Sequence, residues 1–186
     1  MNRLTLAVLT TGILVSVSAT PAVAQKKDIS ARGYFGVGGG LAVPVGDYGN
    51  VAKTGWLLDA IGGFTTKRGI VGARADLMWA QNGLKAEDGH ERLLGVNADI
   101  VLTPGHRPSQ WHPYFMGGVG LYNGKDTSPG VSGSATKLAI NAGAGLQVHT
   151  GHRTDIFVEG RFLTIRTAGS PLNLIPITFG IRWGGI

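Results

Sequence analysis

The sequence predicts an all-β fold, an eight-stranded antiparallel up-and-down transmembrane β-barrel, on three observations. Apolar residues recur at every second position in eight separate stretches of the chain, charges within those stretches fall on the opposite parity, and the connections alternate between longer and shorter. A strand turns successive side chains to opposite faces, so each stretch carries one apolar face and one polar or small face. About ten residues, tilted, are enough to cross a bilayer as a strand.

The beginning of the chain sets the compartment. Arg3 precedes an apolar run from Leu4 through Val17, and Ala22-Val23-Ala24 precedes Gln25-Lys26-Lys27. A short basic start, a modest apolar core and an A-x-A site predict a cleaved secretory signal peptide over residues 1–24, in preference to an uncleaved anchor. Residues 25–32 then read as a polar lead-in and residues 33–186 as the barrel. No later segment approaches the ~18 consecutive apolar residues of a spanning helix.

The first strand is expected over 33–43, with Phe35, Val37, Leu41 and Val43 on one parity and glycines on much of the other; Pro44 is expected to end it. Its GVGGG run opens no helix, because Pro44-Val45-Gly46-Asp47 starts a loop, so a nucleotide-binding reading gives way to close backbone approach. Strand two, 56–64, sets Trp56, Leu58, Ala60 and Phe64 against Asp59, and Thr66-Lys67-Arg68-Gly69 is its turn. Strand three, 70–81, sets Val71, Ala73, Ala75, Leu77 and Trp79 against Arg74 and Asp76. A charged loop, 82–90, carries Asn-Gly and Asp-Gly turn signals.

Strand four, 91–102, sets Leu94, Val96, Ala98, Ile100 and Leu102 against Gly95, Asn97 and Asp99. After the connection 103–112, strand five, 113–122, directs Phe115, Val119 and Leu121 outward and Tyr114, Met116 and Tyr122 inward. The loop 123–135 is rich in Gly, Ser and Pro. The clearest alternation lies in the hairpin 138–163, where Leu138, Ile140, Leu146, Val148, Ile156, Val158 and Phe162 oppose Asn141, Gln147, Glu159 and Arg161 across the turn Thr150-Gly151-His152. Strand eight, 174–183, sets Ile175, Ile177, Phe179, Ile181 and Trp183 against Thr178 and Arg182 after the loop 164–173. No helix is predicted.

The charges decide which face is wet. Asp59, Arg74, Asp76, Asp99, Glu159, Arg161 and Arg182 share the inward parity, and mid-strand apolar-parity positions carry no Lys, Arg, Asp or Glu. An Arg or Lys on the lipid face near the midplane costs about 2–4 kcal/mol. The lumen of eight strands is only wide enough for side chains to fill, so these seven are expected to form an internal charge network that plugs it. A narrow channel lined by the same charges is the alternative. A soluble calyx would need the apolar parity inside, crowding Trp56, Trp79 and Phe162 into its core.

Composition narrows the function further. The chain has no cysteine, 31 glycines and a formal charge of +6. Without disulfides it depends on packing and backbone pairing. The basic excess is scattered and joins no nucleic-acid-binding motif, so no nucleic acid is expected as a partner. It concentrates at the short-turn end, in Lys26, Lys27, Arg32, Lys67, Arg68, Arg107 and Arg153 against Asp28 and Asp155, where anionic headgroups would meet it. His149-x-x-His152 lacks an evident third ligand, and Ser109, Ser128, Ser132, Ser134 and Ser170 sit in loops without a nucleophile motif. No catalytic, cofactor or metal site is therefore expected, and a lipid-modifying enzyme ranks behind both the plug and the channel.

The glycine and aromatic patterns of 33–44 with Gly46-Asp47, of PYFMGGVGLY and of AINAGAGLQV through FVEGRF resemble the small outer-membrane β-barrel domain family, of the OmpA/OmpX-like kind. That resemblance implies an exported outer-membrane barrel, often without enzymatic activity, in contact with outer-membrane lipids and delivered by the barrel assembly machinery. It implies an aromatic final residue, whereas here Gly184, Gly185 and Ile186 follow Trp183. A monomer with a structural or surface-interaction role is expected, its loops 45–54, 82–90, 123–135 and 164–173 facing outward toward a ligand the sequence does not name.

Overall fold

The computed structural model describes residues 31–66, 69–85, 89–104, 109–127, 134–151, 153–167 and 171–184, the side chains of 125–127 and 134–135 excepted. The expected signal peptide and most of the lead-in lie outside the described residues. Among these residues eight strands are formed: β1 (Arg32–Val45), β2 (Gly55–Thr65), β3 (Val71–Gly83), β4 (His90–Leu102), β5 (Trp111–Thr127), β6 (Ser134–Gly151), β7 (Thr154–Ile165) and β8 (Leu172–Gly184). They follow chain order around a closed barrel, every neighbouring pair antiparallel, with β8 returning to β1. Closure removes the unpaired strand edge that hydrocarbon does not tolerate.

Period-two patterning becomes an inside and an outside. Along β4, Leu94, Val96, Ile100 and Leu102 are exposed while Leu93, Asn97, Asp99 and Val101 are buried. The same alternation places Phe35, Leu77, Phe115, Ile140, Phe162 and Phe179 on the outer wall. Arg92 is the nearest outward charge on β4, and it lies at the rim. Aromatic pairs mark both ends of this apolar wall. Trp56 meets Trp79 edge-on at 4.5 Å near the longer loops, and Phe35 meets Trp183 at 5.4 Å near the shorter turns.

Four local departures from the sequence expectation have physical reasons. β1 continues through Pro44 to Val45, because its pairing to β2 ends at Ala42 and beyond that point only β8 binds it, leaving one side free of ladder bonds. β5 and β6 run to 17 and 18 residues, so pairing extends well into the expected loop 123–135. Arg32, expected in the lead-in, opens β1. A helix, α1 (Asp47–Val51), also occupies the first loop where none was expected.

A helix of five residues has too few internal bonds to stand alone. α1 forms because Gly46 turns the chain at φ 62° and because Tyr48 and the capping Ala52 bury one face against the barrel mouth. Backbone bonds from Lys53 N–H to Gly83 C=O (2.7 Å) and from Lys85 N–H to Val51 C=O (2.8 Å) tie it to the β3–β4 connection. Asn82 Nδ2 donates to Ala42 C=O and Lys53 C=O, each at 2.9 Å. The result is a lid across the loop end of the barrel.

Beneath the lid the lumen is stratified. Leu57, Met78, Leu93, Leu163, Ile165 and Leu174 fill the loop-end third as an apolar layer with Tyr48 and Ala52. Charged and amide side chains occupy the middle. Toward the turn end, Tyr34, Ile61 and Phe157 form one apolar cluster and Val101, Tyr114 and Met116 another.

Candidate functional site

The middle layer is built by neighbours in register. Arg74 on β3 lies opposite Asp99 on β4, Asp76 opposite Asn97, and Glu159 on β7 opposite Thr178 on β8. Inward parity alone sends these side chains into the lumen, and the barrel's curvature brings strands distant in sequence onto one another. Asp59, Asp76, Asp99 and Glu159 are each 4% exposed or less, and Arg74 and Arg161 5% or less.

Arg161 is the hub. Its Nη1 lies 2.9 Å from Asp76 Oδ1 and 3.6 Å from Asp99 Oδ2, and its Nη2 lies 3.0 Å from Asp59 Oδ2 and 2.7 Å from Glu159 Oε1. Arg74 grips the same Glu159 carboxylate with two parallel bonds, Nη1 to Oε2 at 2.8 Å and Nη2 to Oε1 at 2.7 Å, so Oε1 is shared between the two arginines. Such a fork is the geometry in which a guanidinium binds a carboxylate most strongly. Tyr114 donates to Glu159 Oε2 at 2.7 Å, Asn97 to Asp76 Oδ2 at 2.7 Å, and Asn141 to Asp99 Oδ1 at 2.8 Å.

Two glycines make room for the phenols. A Cβ on Gly95 would meet the Tyr122 ring, and one on Gly145 would meet the Tyr114 ring. With hydrogen there instead, each ring occupies the space that a side chain on the neighbouring strand would fill. Tyr122 thereby brings its hydroxyl to Asn97 Nδ2 at 2.8 Å.

The structure thus brings together six of the seven charges anticipated inside: Asp59, Arg74, Asp76, Asp99, Glu159 and Arg161. Arg182 lies apart, at the turn end, where its Nη2 and Nε contact Asp155 Oδ2 at 2.8 and 3.2 Å and its guanidinium carbon sits 4.4 Å above the Tyr34 ring. Asp155 corrects the sequence reading, which set it on the polar parity of strand seven but counted it with the charges of the short-turn end and not with those of the lumen. It is 1% exposed and also holds Gln147 Nε2 at 2.7 Å and His149 Nδ1 at 2.8 Å. Its parity with Glu159 was the available signal. The same parity marks Asn97, Asn141, Tyr114 and Tyr122, which a search for charges alone passes over.

His149 is thereby committed to Asp155, while His106, His152, Ser128, Ser132 and Ser170 lie outside the described residues. Among the described residues no three His, Cys, Asp or Glu side chains converge in metal-holding geometry. The mid-lumen holds four buried carboxylates ion-paired with two buried guanidiniums.

Known structures share this fold. The chain is similar to Neisserial surface protein A, at 14% identity and a TM-score of 0.66 over 81% of this chain and 96% of that one. It is similar to Ail, the attachment invasion locus protein of Yersinia pestis, in complex with the heparin analogue sucrose octasulfate, at 16% identity and 0.60 over 83% and 98%. The N-terminal β-barrel domain of Pseudomonas aeruginosa OprF aligns at 13% identity and 0.50 over 84% and 98%. No curated protein sequence matches the chain. The outer membrane protein beta-barrel domain family matches residues 10–179, which span all eight strands up to Phe179, and with its closed barrel and apolar outer wall the chain belongs to that family.

Proposed function

We propose that this outer-membrane barrel is a closed scaffold whose lumen is plugged by Asp59, Arg74, Asp76, Asp99, Glu159 and Arg161, with Arg182 sealing the turn end, and whose longer loops form a surface-interaction face. The observation that carries this reading is the stacking of an apolar layer and the α1 lid directly above the ionic belt. Ions entering the belt would have to cross packed Leu57, Leu93 and Leu163. The names of Neisserial surface protein A and of the Yersinia attachment protein agree with a role at the cell surface.

In this reading residues 1–24 are removed on export, the assembly machinery inserts the chain, and the barrel works as a monomer because closure leaves no strand edge to pair. No catalysis is assigned to it. A narrow channel for ions or small solutes is the second reading, favoured only by the polar belt. Planar-bilayer recording separates the two. The plugged barrel is expected to show no unitary conductance; clear openings that change in Arg74→Ala or Glu159→Ala would establish the channel.

A further inference from the structure

The belt is unbalanced in charge and in hydrogen bonding, and both imbalances have the same sign. Four buried carboxylates, Asp59, Asp76, Asp99 and Glu159, face two buried guanidiniums, Arg74 and Arg161. Among the described ion pairs no third cation reaches them, since Arg182 and His149 are held by Asp155. Around each strand the other groups facing the belt are neutral: Tyr114 and Tyr122 on β5, Asn97 on β4, Asn141 on β6 and Thr178 on β8.

The atoms of the belt without a hydrogen bond are all acceptors. Asp59 Oδ1, Asp99 Oδ2, Asn97 Oδ1 and Asn141 Oδ1 are buried without one, Asp99 Oδ2 lying 3.6 Å from Arg161 Nη1. Asn141 is 3% exposed, and its amide is turned into the belt by its bond to Asp99, so its orphaned oxygen is fixed there. A buried unpaired charge and an unsatisfied buried acceptor both oppose folding, the charge more strongly. Two excess negative charges beside four orphaned acceptors call for added positive charge that also binds oxygen.

We propose that the belt takes up protons from solution as the barrel folds, at the Asp59 and Asp99 carboxylates. Asp76 and Glu159 are excluded as the primary sites because both oxygens of each already hold hydrogen bonds. A proton on a carboxyl supplies the donor that its orphaned neighbours lack, whereas the described carboxylates do not converge as a metal cage. The inference concerns the same belt as the plugged reading but needs only the burial of its carboxylates, not the absence of conduction.

The test is refolding of the mature chain from urea into zwitterionic micelles in unbuffered, neutral solution. In one arm tetramethylammonium is the only metal-free cation and proton uptake is read by pH-stat; in the other, sodium or calcium chloride is added and bound metal is measured after desalting. About two unit charges per barrel are expected, one for each carboxylate beyond the two arginines. Proton uptake unchanged by metal is expected, and proton uptake that falls as metal binds overturns the proposal. Asp59→Asn with Asp99→Asn, its folding checked by heat-modifiable migration, should lose most of this uptake; Asp99→Asn alone should lose about half. No proton uptake, or equal uptake in the variants, also overturns the proposal. A conducting barrel that still takes up charge would sink the plug and spare this inference, whereas a silent barrel taking up none would do the reverse.

Discussion

The two upper layers of the lumen fill similar space by opposite physics. Beneath α1, Leu57, Met78, Leu93, Leu163 and Leu174 are held by exclusion of water, a term that scales with area and tolerates exchange among apolar shapes. One layer down, Arg161 alone touches Asp59, Asp76 and Glu159 and approaches Asp99. There each group is stable only while its partners remain, because removing one leaves the others charged, buried and unmatched. The apolar layer is therefore expected to degrade gradually under mutation and the belt abruptly.

The largest effect should come from Arg161→Met, which leaves four carboxylates to Arg74. A loss of about 5 kcal/mol, the top of the range for breaking a buried pair, is expected in urea titrations of the barrel in micelles. If it costs less than truncation of the apolar layer, the contrast fails. The outer wall supplies a control of the same kind. Ile140→Arg places a charge in lipid and should cost up to about 4 kcal/mol of insertion stability, whereas Gln147→Arg, beside buried Asp155, should leave heat-modifiable folding close to native. Equal damage from both would contradict the inside and outside assignment.

Leu57→Ala should cost about 3 kcal/mol without abolishing folding, since only transfer and cavity terms are lost. Asn82→Ala strips the side-chain donor shared by Ala42 and Lys53 carbonyls, and about 1–2 kcal/mol is expected together with faster amide exchange in α1. Lys85→Ala removes only the exposed 2.6 Å contact to Gly49 C=O and should stay within about 0.5 kcal/mol. A large effect from Lys85 would mean that the lid is held by its surface rather than by Tyr48 and Ala52.

The eight strands and the outward face were legible because period two is a local property, repeated in every stretch from Phe35 to Ile181. The register of the wall followed from it, since a slip of one residue would turn Arg74 or Glu159 into lipid. α1 was not legible. Its five residues carry no helical period, and only the barrel mouth supplies a surface for Tyr48 to bury against. The apolar layer escaped notice for a related reason: Leu57, Leu93 and Leu163 sit on the inward parity, and nothing local says that they meet.

The sequence by itself determined which residues enter the lumen, because that depends only on the alternation of the chain. Tertiary structure decided who meets whom there. Arg74 finds Glu159 across 85 positions and Arg161 finds Asp59 across 102, distances that only barrel closure can bridge. The same closure separated Arg182 from the belt and gave it Asp155, because depth along the barrel axis depends on the registers of all the strands together.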